Sequence, residues 1–288
     1  MKFFALIEKG QRHEYVEHNG KVFRTPGSNL EALLKIASGS KLDFKDQVDI
    51  DITSIMNGKF EKHQIDLPIL PQEVWGSGIS YFVSRERYSE SDAARIGGKT
   101  IYETVYDAER PEIFFKATLS RCSAPSGDIA IRSDSDWTLP EPELSVAIDS
   151  SGRVLGYMVF DDVSARDIET ENPLYLPESK IYDRCCSFGP VVVTPDEVGD
   201  PYKLEISMII YRGGNVLFNG STNTELMKTK IDTQLNYLLR NNNVPDGTIL
   251  TTGTCILPGK EHSLRNGDRV DIAISKLGTL STGVVKLD

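Results

Sequence analysis

Short runs of apolar residues, separated by turn residues, dominate the chain. Residues 204–211 alternate between apolar and other side chains, and residues 2–7 and 249–257 form further apolar runs of strand length. This alternation has the period of a half-buried strand. Asn19-Gly20 and Asn266-Gly-Asp268 are typical of tight turns between such runs. We therefore predict an α+β fold in which sheets dominate.

Two segments carry apolar residues at helical spacing. One follows Ser28, a suitable N-cap, and extends through Leu30 and Leu33 to Ala37. The other covers residues 224–239 and predicts the longest helix of the chain. Its apolar positions are Met227, Ile231, Leu235 and Leu238. A third segment, 80–96, is rich in charge and predicts either a solvated helix or a lid over a site.

The pattern divides the chain into two unequal parts. Residues 1–70 predict a small N-terminal α/β domain, because they combine strands, a hairpin and a short helix. Residues 71–288 predict a sheet-dominated catalytic domain that binds a metal. The segment Leu67-Pro-Ile-Leu-Pro71 between them has two prolines, which is typical of a linker or of the entry into a domain.

The charge of the chain restricts its partners. The 288 residues carry a net charge of −10, which argues against nucleic acid or an anionic membrane as a partner. No apolar run approaches the ~20 residues of a membrane-spanning helix, and residue 1 does not open a signal-peptide pattern. We expect a cytoplasmic protein that contacts no membrane. Its four cysteines fit no zinc pattern and are expected to be free thiols: Cys122, Cys185, Cys186 and Cys255.

Histidine is missing from most of the chain. None occurs between Gln64 and Glu261. That long stretch therefore cannot hold a Ser-His-Asp triad or a histidine-rich zinc site. Acid and base chemistry within it must depend on Glu, Asp, Lys, Tyr or water.

One predicted hairpin brings carboxylates together. Glu141 and Glu143 are two residues apart in a strand and point to the same face. The turn Asp149-Ser-Ser-Gly152 leads into a second strand that ends near Asp162. If the hairpin closes on Ser150 and Ser151, Phe160 lies opposite Glu141, and Asp162 is the diagonal neighbour of Glu141 on the same face.

Three converging carboxylates repel each other unless a cation lies between them. Oxygen ligands favour a hard cation such as Mg²⁺ or Ca²⁺, with Mn²⁺ also tolerated. The alternative is the polar, solvated face of an edge strand, for which Pro140 and Pro142 are suitable. The metal prediction depends on the register, because a slip of one residue would turn Asp162 to the other face.

Four motifs in a fixed order carry a family resemblance. They are Glu141-Pro-Glu143, Asp161-Asp-Val-Ser-Ala-Arg-Asp167, Ser179-Lys180 and Thr252-Gly-Thr254. With this set, the chain from about Pro71 to its C-terminus resembles the fumarylacetoacetate hydrolase family. The resemblance implies the fold of that family, a mixed β-sandwich roll, and assembly into homodimers or homotetramers.

The same resemblance implies roles for single residues. Glu141, Glu143 and Asp162 match the positions that bind Mg²⁺ or a similar ion in the family. Lys180 matches a lysine that contacts the substrate beside the metal. Thr254 matches a threonine that binds a substrate carboxylate. The resemblance and the hairpin argument thus select the same three ligands.

The chain also departs from the family pattern. Hydrolases and decarboxylases of the family usually carry a His and a Glu in the motif N-Y-x-x-H-A-x-E, and these handle water or a proton. Ser84 and Arg87 stand at those two positions. Glu169 stands where a glutamine often follows the S-A-R-D motif. Hydrolysis of a C–C bond is therefore disfavoured.

One branch of the family is more similar to this chain. Residues 75–81, 85–88, 111–118 and 171–177 look like those of the dehydratases that act on 2-keto-3-deoxy-D-arabinonate. That resemblance spans nearly the whole chain. It implies a small 2-keto acid as the substrate, which loses water to give 2,5-dioxopentanoate in pentose breakdown. The substrate contacts expected besides Lys180 and Thr254 are Ser80, Tyr81, Arg85, Glu169 and Gly253.

Glu112 is the first candidate for the catalytic base or acid. It lies in an apolar strand, where burial would raise its pKa. The alternative is a structural ion pair with Lys116 or Arg110. A cation that binds the carboxylate and keto oxygens of a 2-keto acid acidifies C3, where Glu112 could take a proton while Lys180 stabilises negative charge. Arg166 is expected to support the metal carboxylates.

Two other functions stay open at this point. The second hypothesis is an acylpyruvate hydrolase or oxaloacetate decarboxylase of the same fold, against which Ser84 and Arg87 argue. The third is a non-catalytic protein that binds keto acids. The complete set of three carboxylates with Lys180 argues against the third.

Overall fold

The computed structural model describes residues 1–59, 64–81, 95–96 and 99–288. Strands dominate these residues and form a large sheet, a five-stranded sheet and two short ribbons. The described helices are short, so the prediction of a sheet-dominated α+β fold is confirmed. The strands in chain order are β1 (Lys2–Glu8), β2 (Gln11–His18), β3 (Lys21–Arg24), β4 (Gln47–Val48), β5 (Ile65–Asp66), β6 (Val74–Gly78), β7 (Arg95–Ile96), β8 (Lys99–Thr100), β9 (Glu112–Ala117), β10 (Cys122–Ser123), β11 (Asp128–Ile131), β12 (Thr138–Leu139), β13 (Pro142–Ile148), β14 (Val154–Asp162), β15 (Ser164–Ala165), β16 (Cys186–Val193), β17 (Glu205–Arg212), β18 (Asn215–Asn223), β19 (Thr248–Thr254), β20 (Arg269–Ile274) and β21 (Gly278–Lys286).

The large sheet positions the functional residues. Its strands follow the order β4-β3-β2-β1-β16-β14-β13-β19-β6-β9, with β5 paired to β1 and β10 paired to β16. Every residue of β13, β16 and β19 is buried. Polar side chains on these central strands are therefore shielded from water and need partners inside the protein.

The remaining strands form smaller units. The five-stranded sheet has the order β11-β21-β20-β17-β18, and the ribbons pair β12 with β15 and β7 with β8. One hydrophobic core joins the two main sheets, because Val192 of β16 and Leu280 of β21 belong to the same buried cluster. The described helices are α1 (Asn29–Ala37), α2 (Ile52–Met56), α3 (Ile101–Asp107), α4 (Arg166–Glu171), α5 (Leu176–Lys180), α6 (Pro195–Val198) and α7 (Ile231–Leu238).

The N-terminal strands continue the large sheet. Lys2 and Phe3 of β1 pair with Val193 and Val192 of β16, in antiparallel register. Phe3 and Val192 are fully buried in the common core. The division into domains at residue 70 stays a prediction, and an independent fold for residues 1–70 would have to give up this strand pairing.

The first helix agrees with its sequence pattern. The Ser28 side chain accepts a hydrogen bond from Glu31 N, and the Glu31 carboxylate accepts one from Ser28 N, which completes a capping box. Ala32 and Leu33 turn toward the core. The predicted start of α1 is therefore confirmed.

The predicted helix over 224–239 is wrong in its first half. Residues 224–226 form a single 3₁₀ turn, and α7 begins only at Ile231. Lys228 N and Thr229 N donate to Ser80 O at 2.9 and 3.3 Å, and Met227 pairs with Tyr81. These tertiary hydrogen bonds compete with the helical ones. Apolar spacing alone does not report such competition.

The charged segment 80–96 is described only at its ends. Residues 82–94 lie outside the described residues, and with them Ser84, Arg85 and Arg87. Arg95–Ile96 form the short strand β7, so the predicted helix does not extend to Ile96. None of the helices in the described ranges is long and apolar enough to cross a membrane.

Candidate active site

The predicted ligands lie on the hairpin of β13 and β14, in a register that differs from the prediction. Glu143 lies opposite Phe160. Asp162 N donates to Glu141 O at 3.0 Å, so Asp162 is directly opposite Glu141 and not diagonal to it. The three carboxylates nevertheless share one face, as predicted.

Two local features each shift the register by one residue. The turn closes between Asp149 and Arg153, whose backbone atoms bond at 3.0 Å, and Gly152 completes it with a φ of 86°. This is a three-residue loop and not the predicted two-residue one. A bulge between Ala147 and Ile148 supplies the second shift. A single shift would reverse the faces, whereas two restore them.

The carboxylate trio consists of Glu141, Glu143 and Asp162. Each offers an oxygen atom that lies within 4.8 Å of those of the other two. Their exposed fractions are 3%, 2% and 1%. Since β13 lies between β14 and β19, the alternative of a solvated edge strand is wrong.

Two buried lysines compensate part of this negative charge. Lys116 Nζ lies 2.5 Å from Asp162 Oδ1 and donates to Val163 O at 2.8 Å. Lys180 Nζ lies 2.9 Å from Asp162 Oδ2 and 2.8 Å from Glu141 Oε2. Burial alone would raise the pKa of Asp162, but the two lysines together lower it. Asp162 therefore carries its negative charge inside the protein.

The two glutamates of the trio lack equal compensation. Burial raises the pKa of Glu141, against the opposing charge of Lys180. Burial raises the pKa of Glu143 further, and the nearby charges of Asp162 and Glu141 add to the rise. A divalent cation between the three oxygens would relieve this repulsion. Buried, oxygen-only ligands in this number fit Mg²⁺, with Mn²⁺ and Ca²⁺ as chemically related alternatives.

Glu143 is held in place from the neighbouring strand β19. Its Oε2 accepts hydrogen bonds from Thr251 Oγ1 and from Gly253 N, the latter at 2.7 Å. Gly253 has a φ of 93°, which favours glycine. A Cβ at this position would lie 2.1 Å from Ser80 Oγ. Gly253 thus contacts a ligand residue directly.

The segment after Asp162 builds the support around the trio. Ser164 Oγ accepts a hydrogen bond of 2.5 Å from Lys180 Nζ. The Asp167 carboxylate accepts hydrogen bonds from Ser135 Oγ at 2.8 Å and from Asp136 N at 2.7 Å, which attach α4 to the preceding loop. Ser164 and Asp167 therefore each have a structural partner, Ser164 within the site and Asp167 in the loop before β12.

Arg166 has a different main partner from the predicted one. Its Nη1 lies 2.6 Å from Glu169 Oε1, and both side chains are at least nine-tenths buried. Its guanidinium also lies 5.8 Å from the Trp137 ring. Its charge also acts on the trio, because it opposes the raised pKa of Glu141, in the direction expected for a residue that supports the carboxylates.

Glu112 lies in β9, the last strand of the large sheet, and lines a pocket that the trio also lines. It is paired with Gly78 of β6, and a Cβ at residue 78 would lie 1.9 Å from Glu112 Oε2. Glycine thus leaves the space that the carboxylate occupies. Burial raises the pKa of Glu112 to about 7, and the neighbouring charge of Glu169 contributes. The ion-pair partner of Lys116 is Asp162, so the alternative of a Glu112–Lys116 pair is not what the structure contains.

One pocket brings most of the predicted site residues together. The predicted residues that line it are Glu112, Glu141, Glu143, Asp162, Glu169, Lys180 and Thr254. Thr254 Oγ1 lies 3.0 Å from Pro142 O. Ser80 and Tyr81 do not line the pocket: Ser80 Oγ donates to Thr252 O at 2.5 Å, and Tyr81 is fully buried. Arg85 lies outside the described residues.

Sequence reasoning assigned no site role to the other pocket residues, which are Ser77, Gly78, Ile79, Phe114 and Leu176. The glycines of Trp75-Gly-Ser-Gly78 were the available signal, since that pattern predicts a tight approach near a ligand. Phe114 gave no signal, because an aromatic residue in an apolar strand is ordinary core. Its ring lies 5.3 Å from Lys180 Nζ.

Two known proteins of similar sequence are described as dehydratases. The chain is 52% identical to a 2-dehydro-3-deoxy-D-arabinonate dehydratase of Saccharolobus solfataricus, over 99% of this chain and 97% of that protein. It is 42% identical to a probable 2-keto-3-deoxyxylonate dehydratase of Haloferax volcanii, over 99% of both.

Similar solved structures extend the comparison. A 2-keto-3-deoxy-D-arabinonate dehydratase complexed with magnesium and 2,5-dioxopentanoate superposes with a TM-score of 0.91. That structure is 49% identical and covers 100% of this chain and 99% of its own. The model of the fumarylacetoacetate (FAA) hydrolase C-terminal family matches residues 91–285. The chain belongs to the fumarylacetoacetate hydrolase family.

Proposed function

We propose that the protein removes water from 2-keto-3-deoxy-D-arabinonate and forms 2,5-dioxopentanoate in a magnesium-dependent reaction. The buried carboxylate trio, with Glu112 in the same pocket, is the observation that carries this proposal. The relatives of this chain that share about half of its sequence are dehydratases of this substrate. One of them is complexed with magnesium and with the product of the same reaction.

The trio would hold the cation. Glu141, Glu143 and Asp162 offer three carboxylates whose mutual repulsion is only partly offset by lysine. A bound divalent cation would polarise the keto group of the substrate and acidify its C3 protons. Thr254 lines the pocket, and Gly253 precedes it on β19 and binds Glu143. Both are proposed to contact the acid end of the substrate.

Glu112 is the proposed base. A group with a pKa of about 7 can take a proton and release it near neutral pH. Glu112 takes a proton from C3 and returns it to the hydroxyl group on C4, which then leaves as water. The product of this step is 5-hydroxy-2-oxopent-3-enoate, which must still rearrange to the aldehyde.

Lys180 contributes positive charge at the acid end. An ammonium group has three N–H donors. In the structure, Lys180 Nζ contacts Glu141 at 2.8 Å, Asp162 at 2.9 Å and Ser164 at 2.5 Å. A direct contact with substrate therefore requires Lys180 to exchange one of these partners. Its electrostatic effect on a developing negative charge needs no such exchange.

Ser80, Tyr81 and Arg85 remain proposed contacts of the substrate. Ser80 and Tyr81 lie directly before residues 82–94, and Arg85 lies within them. Ser80 and Tyr81 attach this segment to Thr252 and Met227.

We also propose a cytoplasmic homodimer or homotetramer. Sedimentation equilibrium of the purified protein tests the assembly, and a monomer would contradict it.

A panel assay tests the proposed function. The protein is freed of metal with EDTA and given Mg²⁺ with 2-keto-3-deoxy acids, acylpyruvates or oxaloacetate. We expect 2,5-dioxopentanoate from 2-keto-3-deoxy-D-arabinonate, and no product without Mg²⁺. Pyruvate from acylpyruvates or oxaloacetate would instead indicate a hydrolase or decarboxylase. The absence of any product would indicate a binding protein.

A further inference from the structure

Dehydration alone does not produce the aldehyde. When C3 loses a proton and C4 loses its hydroxyl group, the double bond forms between C3 and C4. The aldehyde at C5 forms only after a C5 proton is removed and C3 is protonated. The complete reaction, on which this inference rests, therefore removes protons from two different carbon atoms.

The pocket offers two carboxylates outside the hairpin. Among the pocket residues that the structure describes, Lys180 binds Glu141 and Asp162, and Glu143 is held by β19. The other titratable side chains of the pocket are Glu112 and Glu169. Glu112 and Glu169 both line this pocket, and Glu169 is the neighbouring charge that most raises the pKa of Glu112. The two groups are therefore close, yet they belong to different elements, β9 and α4.

Glu169 is fixed through one oxygen and open at the other. Its Oε1 lies 2.6 Å from Arg166 Nη1, and its side chain is 10% exposed. Its buried Oε2 has no hydrogen-bond partner within the described chain. A buried carboxylate oxygen without a partner costs stability, because it has lost its hydrogen bonds to water. A substrate group that fills the pocket would provide the missing contact.

Arg166 restricts the direction of this free oxygen. Its own side chain is 4% exposed and packs near the Trp137 ring, while its backbone N donates to Trp137 O at 2.7 Å. The guanidinium therefore holds Glu169 Oε1 on the side of Trp137. Oε2 is then the oxygen that is available to the pocket. Arg166 is a positioning residue in this arrangement.

We propose that Glu169 is a second catalytic residue, which removes the C5 proton and completes the conversion to the aldehyde on the enzyme. Oε2 of Glu169 takes the proton, the C5–H electron pair forms the C4–C5 double bond, and C3 takes a proton from water. The resulting C5 enol ketonises to the aldehyde, and Glu169 returns its proton to solvent. No oxidant or reductant is required.

The test separates the two proton transfers. Substrate loss, the ultraviolet absorbance of the conjugated enone and aldehyde formation are followed with the magnesium-loaded enzyme. Glu169→Gln should consume substrate but accumulate 5-hydroxy-2-oxopent-3-enoate, with aldehyde formation reduced on the order of 10²-fold. Glu112→Gln should consume substrate on the order of 10²- to 10⁴-fold more slowly than wild type, without accumulating the enone. Glu171→Gln, an exposed change in the same helix, should resemble wild type.

Aldehyde formation by Glu169→Gln at the wild-type rate and without enone would overturn the inference. So would a loss of substrate consumption as complete as that of Glu112→Gln, in a variant that unfolds at the wild-type temperature. Wild-type enzyme gives a further test with substrate deuterated stereospecifically at C5. We expect one of the two C5 hydrogens to be removed selectively, and random removal would contradict an enzymatic step. If wild type forms no 2,5-dioxopentanoate at all, the proposed function itself fails.

Discussion

The pocket contains two groups of carboxylates that differ in their ion pairs with lysine. The hairpin group consists of Glu141, Glu143 and Asp162, and lysine side chains contact two of its members within 3 Å. The glutamate pair consists of Glu112 and Glu169. Among the described residues, no lysine forms an ion pair with Glu112 or Glu169. Arg166 binds only one oxygen of Glu169.

The two groups are suited to different tasks, the hairpin group to binding a cation and the glutamate pair to transferring protons. The hairpin group is packed so that several negative charges stay close together, which is useful for binding a cation. The glutamate pair has a group with a pKa of about 7 and a free carboxylate oxygen, which are useful for proton transfer. Neutralising a member of the hairpin group should therefore affect cation binding, whereas neutralising a member of the glutamate pair should affect proton transfer.

The largest effect is expected from neutralising a ligand. Glu143→Gln should abolish magnesium-dependent turnover while the fold remains, because the amide replaces a carboxylate of the trio. Turnover is measured in EDTA-treated buffer with added Mg²⁺, and Glu171→Gln is the control. Near-wild-type turnover of Glu143→Gln without metal would contradict the metal site.

Glu112→Gln should reduce turnover on the order of 10²- to 10⁴-fold, since a general base is lost. In wild type, the rate should fall as the pH decreases through the pKa of Glu112, which is about 7 before a cation binds and is lowered by the cation. Glu112→Gln should lack this dependence. An unchanged turnover would show that Glu112 has only a structural role.

Lys116→Met should destabilise the protein by about 3–5 kcal/mol, because it leaves the charge of Asp162 without one of its buried partners. Urea unfolding without metal measures this loss. Lys45→Met, which removes an exposed lysine, should leave the unfolding midpoint unchanged. Adding Asp162→Asn to Lys116→Met should recover part of the stability, and a purely additive loss would contradict the ion pair.

The smallest effect is expected from Gly78→Ala, which should reduce turnover on the order of 10-fold to 10²-fold by displacing the Glu112 carboxylate. The same change in a Glu112→Gln background should cause little further loss, because the group that it displaces is already inactive. An equal loss in both backgrounds would show that Gly78 acts elsewhere.

The trio could be predicted from the sequence because the prediction required only that the three residues share one face of the hairpin. The loop at Asp149–Arg153 and the bulge after Ala147 moved the register by two residues, and an even shift preserves the faces of a strand. Neither feature was predicted, since loop length and bulges depend on backbone geometry that the alternation of residues does not record. The agreement on Asp162 therefore came from the faces and not from the correct pairing.

The supporting contacts were harder to predict because they join distant segments. The partner of Lys116 is 46 positions away at Asp162, and Ser80 receives hydrogen bonds from residues 228 and 229. The latter contacts also replaced the first half of the predicted helix. Local propensity contains no information about such pairs, so the ion pair between Arg166 and Glu169 was not predicted either.

Magnesium titration calorimetry of Glu112→Gln and Glu143→Gln, compared with wild type, tests the division of the pocket most directly. We expect Glu143→Gln to lose magnesium affinity, and Glu112→Gln to bind magnesium almost as wild type does although it is inactive. Equal losses of affinity in the two variants would contradict the account, because Glu112 would then belong to the cation site.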